Sequence, residues 1–182
     1  YLPMLAIVLQ HLATQLSALG HRHEEALSPA REAARIQREF VKVNPEEHLP
    51  RLAALLRLEG VLLSQAGWPG RALEPIREAI GVQRQLAETS PDTQLFLLAK
   101  SLELSGIVLW QDERFGEALI ATSETVDIYR DLAEGSPNAY LAGLADSLDI
   151  LSGRLSEAGD HHGAEDARLE AEAIRRRLLS GI

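Results

Sequence analysis

Two pairs of histidines are the first residues in this 182-residue chain whose type and spacing could do chemistry, because neutral imidazole is a common metal ligand. His21 and His23 lie two residues apart, and His161 and His162 are adjacent. The pairs fall in opposite ends of the sequence, and neither has a third ligand of fixed geometry beside it. We interpret them as solvated turn histidines and predict neither a metal site nor a cofactor.

Carboxylates are the next candidates, since the chain has 27 Asp and Glu. Acid–base catalysis needs a carboxylate or histidine in a desolvated cleft, where its pKa is shifted. Most acidic residues here are predicted in turns or on outward helix faces, for example Glu24, Glu25, Asp112, Glu113 and Asp166. The sequence contains no glycine-rich phosphate loop, nucleophile elbow or His-Glu-x-x-His pattern. We therefore predict that the protein is not an enzyme and has no catalytic residues.

Charge and composition exclude further classes. The net charge of −9 opposes binding to a phosphate backbone, so no nucleic-acid partner is expected. The three arginines Arg175–Arg177 are interpreted as a solvated face near a helix C-terminus, where the helix dipole favours cations. With no cysteine, the chain has neither a disulfide framework nor a thiolate metal cluster.

The apolar stretch from Tyr1 to Leu9 is interrupted by Pro3. It is much shorter than the roughly 20 residues that span a bilayer, and no charged segment precedes it as in a signal peptide. We therefore expect no membrane association and a cytoplasmic location.

The elements that position these residues are predicted to be helices. Leu and Ala account for 57 of the 182 residues, whereas Phe, Tyr and Trp together number 8. Leu and Ala are strong helix formers, and strand-forming aromatic residues are scarce, so the composition favours an all-α fold.

One spacing of 46 residues organises the chain. It separates the members of several columns of similar residues, as expected of an internal repeat. The columns are Ala26, Ala72, Ala118 and Ala164; Pro45, Pro91 and Pro137; Ile36, Val82, Ile128 and Ile174; and Phe40, Leu86, Leu132 and Leu178. The first copy is offset by one residue because its turn is one residue longer. Four copies therefore begin near residues 1, 48, 94 and 140 and form one domain over 1–182, with repeats near 1–47, 48–93, 94–139 and 140–182.

Each copy is predicted to form two antiparallel helices. In the second copy, apolar residues at helical spacing precede the turn Gly67-Trp68-Pro69-Gly70, and a second apolar series ends at Ser90-Pro91. One helix pair cannot bury its apolar face alone, so the four pairs are expected to stack into an α-solenoid of about eight helices.

The pattern resembles the tetratricopeptide repeat (TPR) family. That resemblance assigns large residues to the fourth and eleventh positions and small ones to the eighth, twentieth and twenty-seventh. The fourth and eleventh positions are Leu9, Leu56, Leu102 and Leu148, and Leu16, Leu63, Leu109 and Leu155. The small positions are Ala13, Gly60, Gly106 and Ser152; the Ala26 column; and Ala33, Ala79, Thr125 and Ala171. The chain departs from the family in its period, which is 46 and not 34, and in having Leu where Trp and Tyr are usual. HEAT and armadillo repeats, with periods of roughly 40–47, remain the alternative.

The TPR resemblance implies a protein-binding groove lined by the first helix of each repeat. The chain further resembles long-period TPR arrays in larger regulatory and signalling proteins of high-GC bacteria. We therefore expect a non-catalytic scaffold that is part of a longer protein. The predicted groove residues are Gln10, Thr14, Arg57, Val61, Lys100, Glu103, Ile107, Trp110, Asp146, Asp149 and Glu157. Whether Trp110 faces this groove or the core is left open. The clamp with which some TPR domains hold a carboxylate is not reproduced, because the ninth positions are Thr14, Val61, Ile107 and Gly153.

The charge distribution predicts what the groove binds. The four copies carry net charges of −1, 0, −5 and −3 along the chain. We therefore expect a peptide or protein partner whose basic residues face the last two repeats, near Glu103, Asp146, Asp149 and Glu157.

A structural role is the alternative. The chain starts on apolar residues at Tyr1–Leu5 and finishes on apolar residues at Leu178–Ile182, and no polar capping helix is recognised at either end. On this hypothesis the protein is a self-assembling array that forms homo-oligomers through its terminal repeats.

Overall fold

A computed structural model of the chain describes residues 1–20 and 22–180. This described part contains eight α-helices and no strand. The helices are α1 Leu2–Ala18, α2 His23–Val41, α3 Pro45–Gln65, α4 Pro69–Thr89, α5 Pro91–Gln111, α6 Phe115–Gly135, α7 Pro137–Glu157 and α8 His161–Ser180. The predicted fold class, an all-α solenoid of helix pairs, is confirmed.

Proline sets where the first helix begins in the second, third and fourth copies. Pro45, Pro91 and Pro137 are the first residues of α3, α5 and α7. A proline is tolerated there because the N–H it lacks would have no partner within the helix. The sequence predicts that Pro91 stops the preceding helix, and α4 does end at Thr89. Pro91 is also the first residue of α5, so a single proline marks the end of one helix and the start of the next.

The turns inside the copies share a left-handed residue. Gly20, Gly67 and Gly159 have φ of 73°, 81° and 86°, and Glu113 occupies the equivalent place in the third copy with φ of 59°. Glycine adopts this conformation without a Cβ clash, which is why it commonly ends helices. Glu113 adopts the same conformation despite its side chain.

The packing divides the chain into two compact units, Tyr1–Gln94 and Leu95–Ile182. In the first unit α2 packs on α1 and α3, and α3 packs on α4. In the second unit α7 packs on α6 and α8. Both cores are built around the alanine column: Ala26, Ala72 and Ala118 are fully buried, and Ala164 is 7% exposed.

Small residues at the eighth position allow the paired helices to approach. A Cβ on Gly60 would lie 2.4 Å from Cγ1 of Ile76, so α3 and α4 could not keep their present spacing with a larger residue there. In the fourth copy the equivalent Ser152 donates a hydrogen bond of 2.7 Å to the carbonyl oxygen of Ala164. These contacts are the close helix–helix packing that the TPR resemblance implies.

The fifth helix has the most apolar long stretch. Among the described residues, Thr93–Gln111 is the one helical stretch long and apolar enough to cross a membrane by length and composition, and half of it is buried inside the protein. A helix in a packed core has the same composition, so this stretch is weak evidence for a membrane span.

Candidate binding groove in the second unit

The predicted groove residues divide between the two units. Gln10 and Thr14 lie on α1 and Arg57 and Val61 on α3, all in the first unit. The other seven belong to the second unit. Lys100, Glu103, Ile107 and Trp110 lie on α5, and Asp146, Asp149 and Glu157 lie on α7.

Helices α5 and α7 form the walls of a groove in the second unit, and α6 contributes to its floor. The inner part has a volume of about 70 Å³ and is lined by Glu103, Ile107, Thr122, Thr125, Ser147, Ile150 and Arg154. The outer part has a volume of about 460 Å³ and is lined by Ile107, Trp110, Gln111, Asp149, Ile150, Gly153, Arg154 and Glu157. Because the two parts share Ile107, Ile150 and Arg154, we treat them as one site, the α5–α7 groove.

Two isoleucines give the groove its apolar surface. Ile107 on α5 and Ile150 on α7 are 46% and 44% exposed, although each is a large apolar side chain. Ile107 was predicted in the groove. Ile150 was not, because it follows Asp149 by one residue and so lies beside the predicted positions on α7. Together they offer contact area of the kind that dominates binding energetics.

Trp110 both lines the groove and packs against its neighbours. Its ring meets the edge of Phe115 with centroids 4.7 Å apart, and the guanidinium carbon of Arg154 lies 5.3 Å from its centroid. The indole is half-buried: one part of Trp110 lines the groove, and another part packs against neighbouring side chains. A fixed aromatic ring of this kind is a suitable wall for a bound side chain.

Arg154 forms part of the groove floor and is not among the predicted groove residues. It is 9% exposed and donates hydrogen bonds to the carbonyl oxygen of Ala118, at 3.0 Å, and to the hydroxyl of Thr122. Burial lowers the pKa of Arg154, because desolvation disfavours its charged form. The equivalent residues in the second and third copies, Leu62 and Val108, are buried and apolar. An arginine in that column was the signal that could have identified it.

Glu103 is paired within the chain. It accepts a hydrogen bond of 2.6 Å from Nζ of Lys100 and one of 2.8 Å from the hydroxyl of Tyr129. Tyr129 is 2% exposed, and its burial and this hydrogen bond raise its pKa. One edge of the groove is thereby fixed to α6.

Asp146 and Asp149 are paired with α8. Arg175 bonds to the carboxylate of Asp149 and lies 3.4 Å from Oδ1 of Asp146. The hydrogen bond with Asp149 raises the pKa of Arg175. The side chain of Arg175 is thus solvent-exposed, as predicted, and its guanidinium also pairs with two carboxylates of the predicted acidic patch. Glu157 at the rim is exposed and lies within ion-pair distance of no cation among the described residues, although its charge favours the protonated form of Arg154.

The predicted groove residues of the first unit make local contacts. Thr14 donates a hydrogen bond of 2.9 Å to the carbonyl oxygen of Gln10, one turn back in α1. Arg57 and Val61 are half-buried on α3, and Nε of Arg57 is buried without a hydrogen-bond partner in the described part of the chain.

The histidine pairs make no cluster with other ligand types. His161 and His162 are the first residues of α8, and Nε2 of His162 lies 3.6 Å from Oδ2 of Asp166. His23 starts α2, whereas His21 lies outside the described residues. Within the described residues, 1–20 and 22–180, no group of three or more His, Cys, Asp or Glu is arranged to hold a metal ion.

Comparison with known proteins identifies the fold but no close relative. No protein-family model matches the chain, and no curated protein matches it. The crystal structure of BtubC (BKLC) from P. vanneervenii is similar over 98% of this chain, with a TM-score of 0.79 and 19% identity; the match spans 66% of BtubC. The DHF58 filament matches over 96% of this chain and 94% of its own, with a TM-score of 0.59 and 19% identity. The MamA RS-1 ArsTM double mutant aligns over 96% of both chains with 14% identity, but its TM-score of 0.37 is too low to carry an argument.

Proposed function

Because the chain is a TPR-like helical repeat, we propose that it is a non-catalytic scaffold whose α5–α7 groove binds a segment of another protein. The observation that supports this most is the pair of exposed isoleucines, Ile107 and Ile150, in a groove whose floor includes the hydrogen-bonded Arg154. Exposed apolar area in a groove is characteristic of surfaces that bind a partner.

The lining indicates which segment the groove would take. An apolar side chain of the ligand would lie between Ile107 and Ile150, against the ring of Trp110. A lysine or arginine close to that side chain would meet Glu157 at the rim. Glu103 and Asp149 are less available for this role, because each already bonds to a cation of the chain. The net charge predicted a basic partner. The groove lining makes this more specific: the expected segment has one basic residue beside an apolar residue that acts as its anchor.

The test of this proposal is selection of linear peptides from a random library on the purified chain, followed by measurement of their dissociation constants. Ile150→Asp places a charge in the apolar contact and should weaken the selected peptides at least tenfold. Ile120→Asp is the matched control, because Ile120 is 68% exposed on α6 and does not line the groove. Equal affinities for the two variants would reject the groove as the binding site.

The charge at the rim gives a separate prediction. Glu157→Gln should weaken selected peptides that contain lysine or arginine about threefold at low salt, and the loss should shrink at 0.5 M salt because the pair is screened. Glu134→Gln, an exposed carboxylate near the end of α6, is the control. Peptides selected without any basic residue, or an effect that does not depend on salt, would contradict a role for Glu157.

Self-assembly is the second candidate function, and the exposed apolar surface of α1 supports it. Leu2, Met4 and Val8 are 56%, 66% and 56% exposed. At the other end Leu178 and Leu179 are 40% and 89% exposed. The fold is shared with a filament, DHF58. Light scattering separates the candidates: a species of 20.0 kDa at every concentration would reject self-assembly of this chain.

A cytoplasmic location and a place within a larger regulatory protein belong to the same proposal. They are supported by the resemblance to long-period TPR arrays and by the absence of cysteine.

A further inference from the structure

Arg154 brings a buried positive charge to the α5–α7 groove with no carboxylate directly beside it. The residue is 9% exposed, and no Asp or Glu in the described part of the chain lies within ion-pair distance of its guanidinium. Glu157, whose charge favours the protonated form, lies beyond that distance. A buried charge without a counter-charge is costly, so an anion placed beside this guanidinium is stabilised there.

The guanidinium is bonded to the protein through one nitrogen. Nη1 donates to the carbonyl oxygen of Ala118, at 3.0 Å, and to the hydroxyl of Thr122. Nε and Nη2 have no hydrogen-bond partner among residues 1–20 and 22–180, and neither is an enclosed atom. Because Arg154 lines both parts of the groove, these two nitrogens can donate to a ligand there.

A glycine on α5 makes room for this side chain. A Cβ on Gly106 would lie 2.6 Å from Nη1 of Arg154 and 3.2 Å from the hydroxyl oxygen of Thr122. The equivalent Gly60 in the second copy faces the apolar side chain of Ile76 instead. The position of the guanidinium is therefore fixed by α5, α6 and α7 together, which limits the entropy lost when a ligand binds to it.

Ser147 adds a second polar group to the same face of α7. It precedes Arg154 by seven residues, which is two helical turns, and both residues line the inner part of the groove. Ser147 is 3% exposed, and its hydroxyl bonds to no residue that the structure describes. The inner volume of about 70 Å³ is sufficient for a group the size of a carboxylate.

The other charges in the groove are already paired. Glu103 also lines the inner part, but it accepts hydrogen bonds from Lys100 and from the hydroxyl of Tyr129. In the outer part Asp149 is paired with Arg175. One unpaired guanidinium matches a singly charged carboxylate better than a phosphate, which carries about −1.5 to −2 charges. A carboxylate can also accept two parallel hydrogen bonds from one guanidinium.

We propose that the inner part of the groove binds a carboxylate of the ligand segment, which accepts hydrogen bonds from Nε and Nη2 of Arg154 and from the hydroxyl of Ser147. The inference rests on the proposed function, because the same segment places its apolar side chain between the two isoleucines. The carboxylate belongs either to an Asp or Glu side chain or to the C-terminus of the segment, and the experiment separates these two sources.

The test uses the full chain and the tightest peptide selected from a random library of linear peptides with unblocked C-termini. Each carboxylate of the peptide is replaced in turn by its amide, and the dissociation constant is measured. One replacement should weaken binding at least tenfold, because an amide cannot take both hydrogen bonds or the charge. A loss on replacing an Asp or Glu assigns the side chain, and a loss on amidation of the C-terminus assigns the terminus.

Variants of the protein show whether that carboxylate meets Arg154. Arg154→Leu introduces the residue type that the second copy has at Leu62, so the chain should stay folded. In this variant the same amide replacement should change the dissociation constant less than twofold. Arg168→Leu is the matched control: this arginine is paired on the exposed surface of α8, outside the groove, and the tenfold loss should persist.

Ser147→Ala gives a second readout that keeps Arg154 in place. It removes one small hydroxyl and should reduce the loss caused by the amide to about threefold. This variant also provides the answer if Arg154→Leu does not fold.

The proposal fails if no amide replacement matters although Ile150→Asp still weakens the peptide tenfold. The groove then binds its segment through the apolar contact alone, and the proposed function stands. It fails equally if the loss caused by the amide is the same in the original chain, Arg154→Leu and Ser147→Ala. Equal affinities for Ile150→Asp and Ile120→Asp reject the groove itself, and the proposed function falls together with this inference.

Discussion

At the scale of single residues, Tyr129 links the interior of the second unit to the rim of the groove. The phenol is 2% exposed and its hydroxyl donates a 2.8 Å hydrogen bond to Glu103. Burial and that hydrogen bond raise its pKa above the ordinary value of 10.0. The native state therefore favours the neutral phenol, and the stability that this preference contributes is present below pH 10 and lost as the pH rises further.

We predict that Tyr129→Phe lowers the free energy of unfolding by about 1–2 kcal/mol at pH 7, because the hydrogen bond to a carboxylate is lost. Above pH 10 the original chain should lose stability more steeply than the variant, so that the difference between them narrows. Urea denaturation between pH 7 and pH 11 measures both effects. Tyr1→Phe is the control, since Tyr1 is exposed. Parallel pH profiles for the original chain and Tyr129→Phe would refute this account of Tyr129.

Glu113 is the second residue with a clear expected effect. It holds φ of 59°, where the three equivalent turns have glycine. Glu113→Gly should raise the free energy of unfolding by about 0.5–1 kcal/mol, because relief of the left-handed strain exceeds the added chain entropy of glycine. Gly159→Ala should lower it by about 1 kcal/mol for the converse reason. Chemical denaturation of the two variants is the measurement, and changes of the same sign would contradict the explanation.

At the scale of the elements, close packing of α3 on α4 depends on Gly60. A methyl group there would lie 2.4 Å from Cγ1 of Ile76, so Gly60→Ala should destabilise the protein by about 1–3 kcal/mol. Gly81→Ala is the matched control, since nothing lies within 4 Å of the added methyl group in the interior of α4. It should stabilise the protein by about 0.5–1 kcal/mol through helix propensity. An unfolding midpoint for Gly60→Ala at or above that of the original chain would show that the helices are not held at this distance.

Most of the helices could be predicted from the sequence because their signals are local. Proline at the first position, glycine in the turn after the first helix and apolar residues at helical spacing mark α3 and α4 without reference to the rest of the chain.

The groove could be predicted only in part. Glu103, Ile107, Trp110, Asp149 and Glu157 do line or border one site, because the repeat places first helices side by side. Ion pairing could not be read from spacing, since Arg175 reaches Asp149 from another helix. Arg154 was missed because an apolar column does not predict a buried guanidinium.

At the scale of the whole molecule, the net charge of −9 does not mean that the groove itself is an unpaired acidic surface. Lys100, Tyr129 and Arg175 already bond to groove carboxylates, whereas Glu157 at the rim is exposed and has no cation within ion-pair distance among the described residues. Recognition is therefore expected to depend first on the apolar contact with the two isoleucines and second on charge. High salt should accordingly weaken a bound peptide only a few-fold.

Hydrogen exchange of the chain with and without the tightest selected peptide tests the central claim most directly, because it locates the contact along the sequence. A segment bound in the α5–α7 groove should slow amide exchange in residues 100–111 of α5 and 146–157 of α7, and Ile150→Asp should remove that protection. Protection confined to the first unit, or to the outer surface of α8, would contradict the proposal that this groove is where the protein binds its partner.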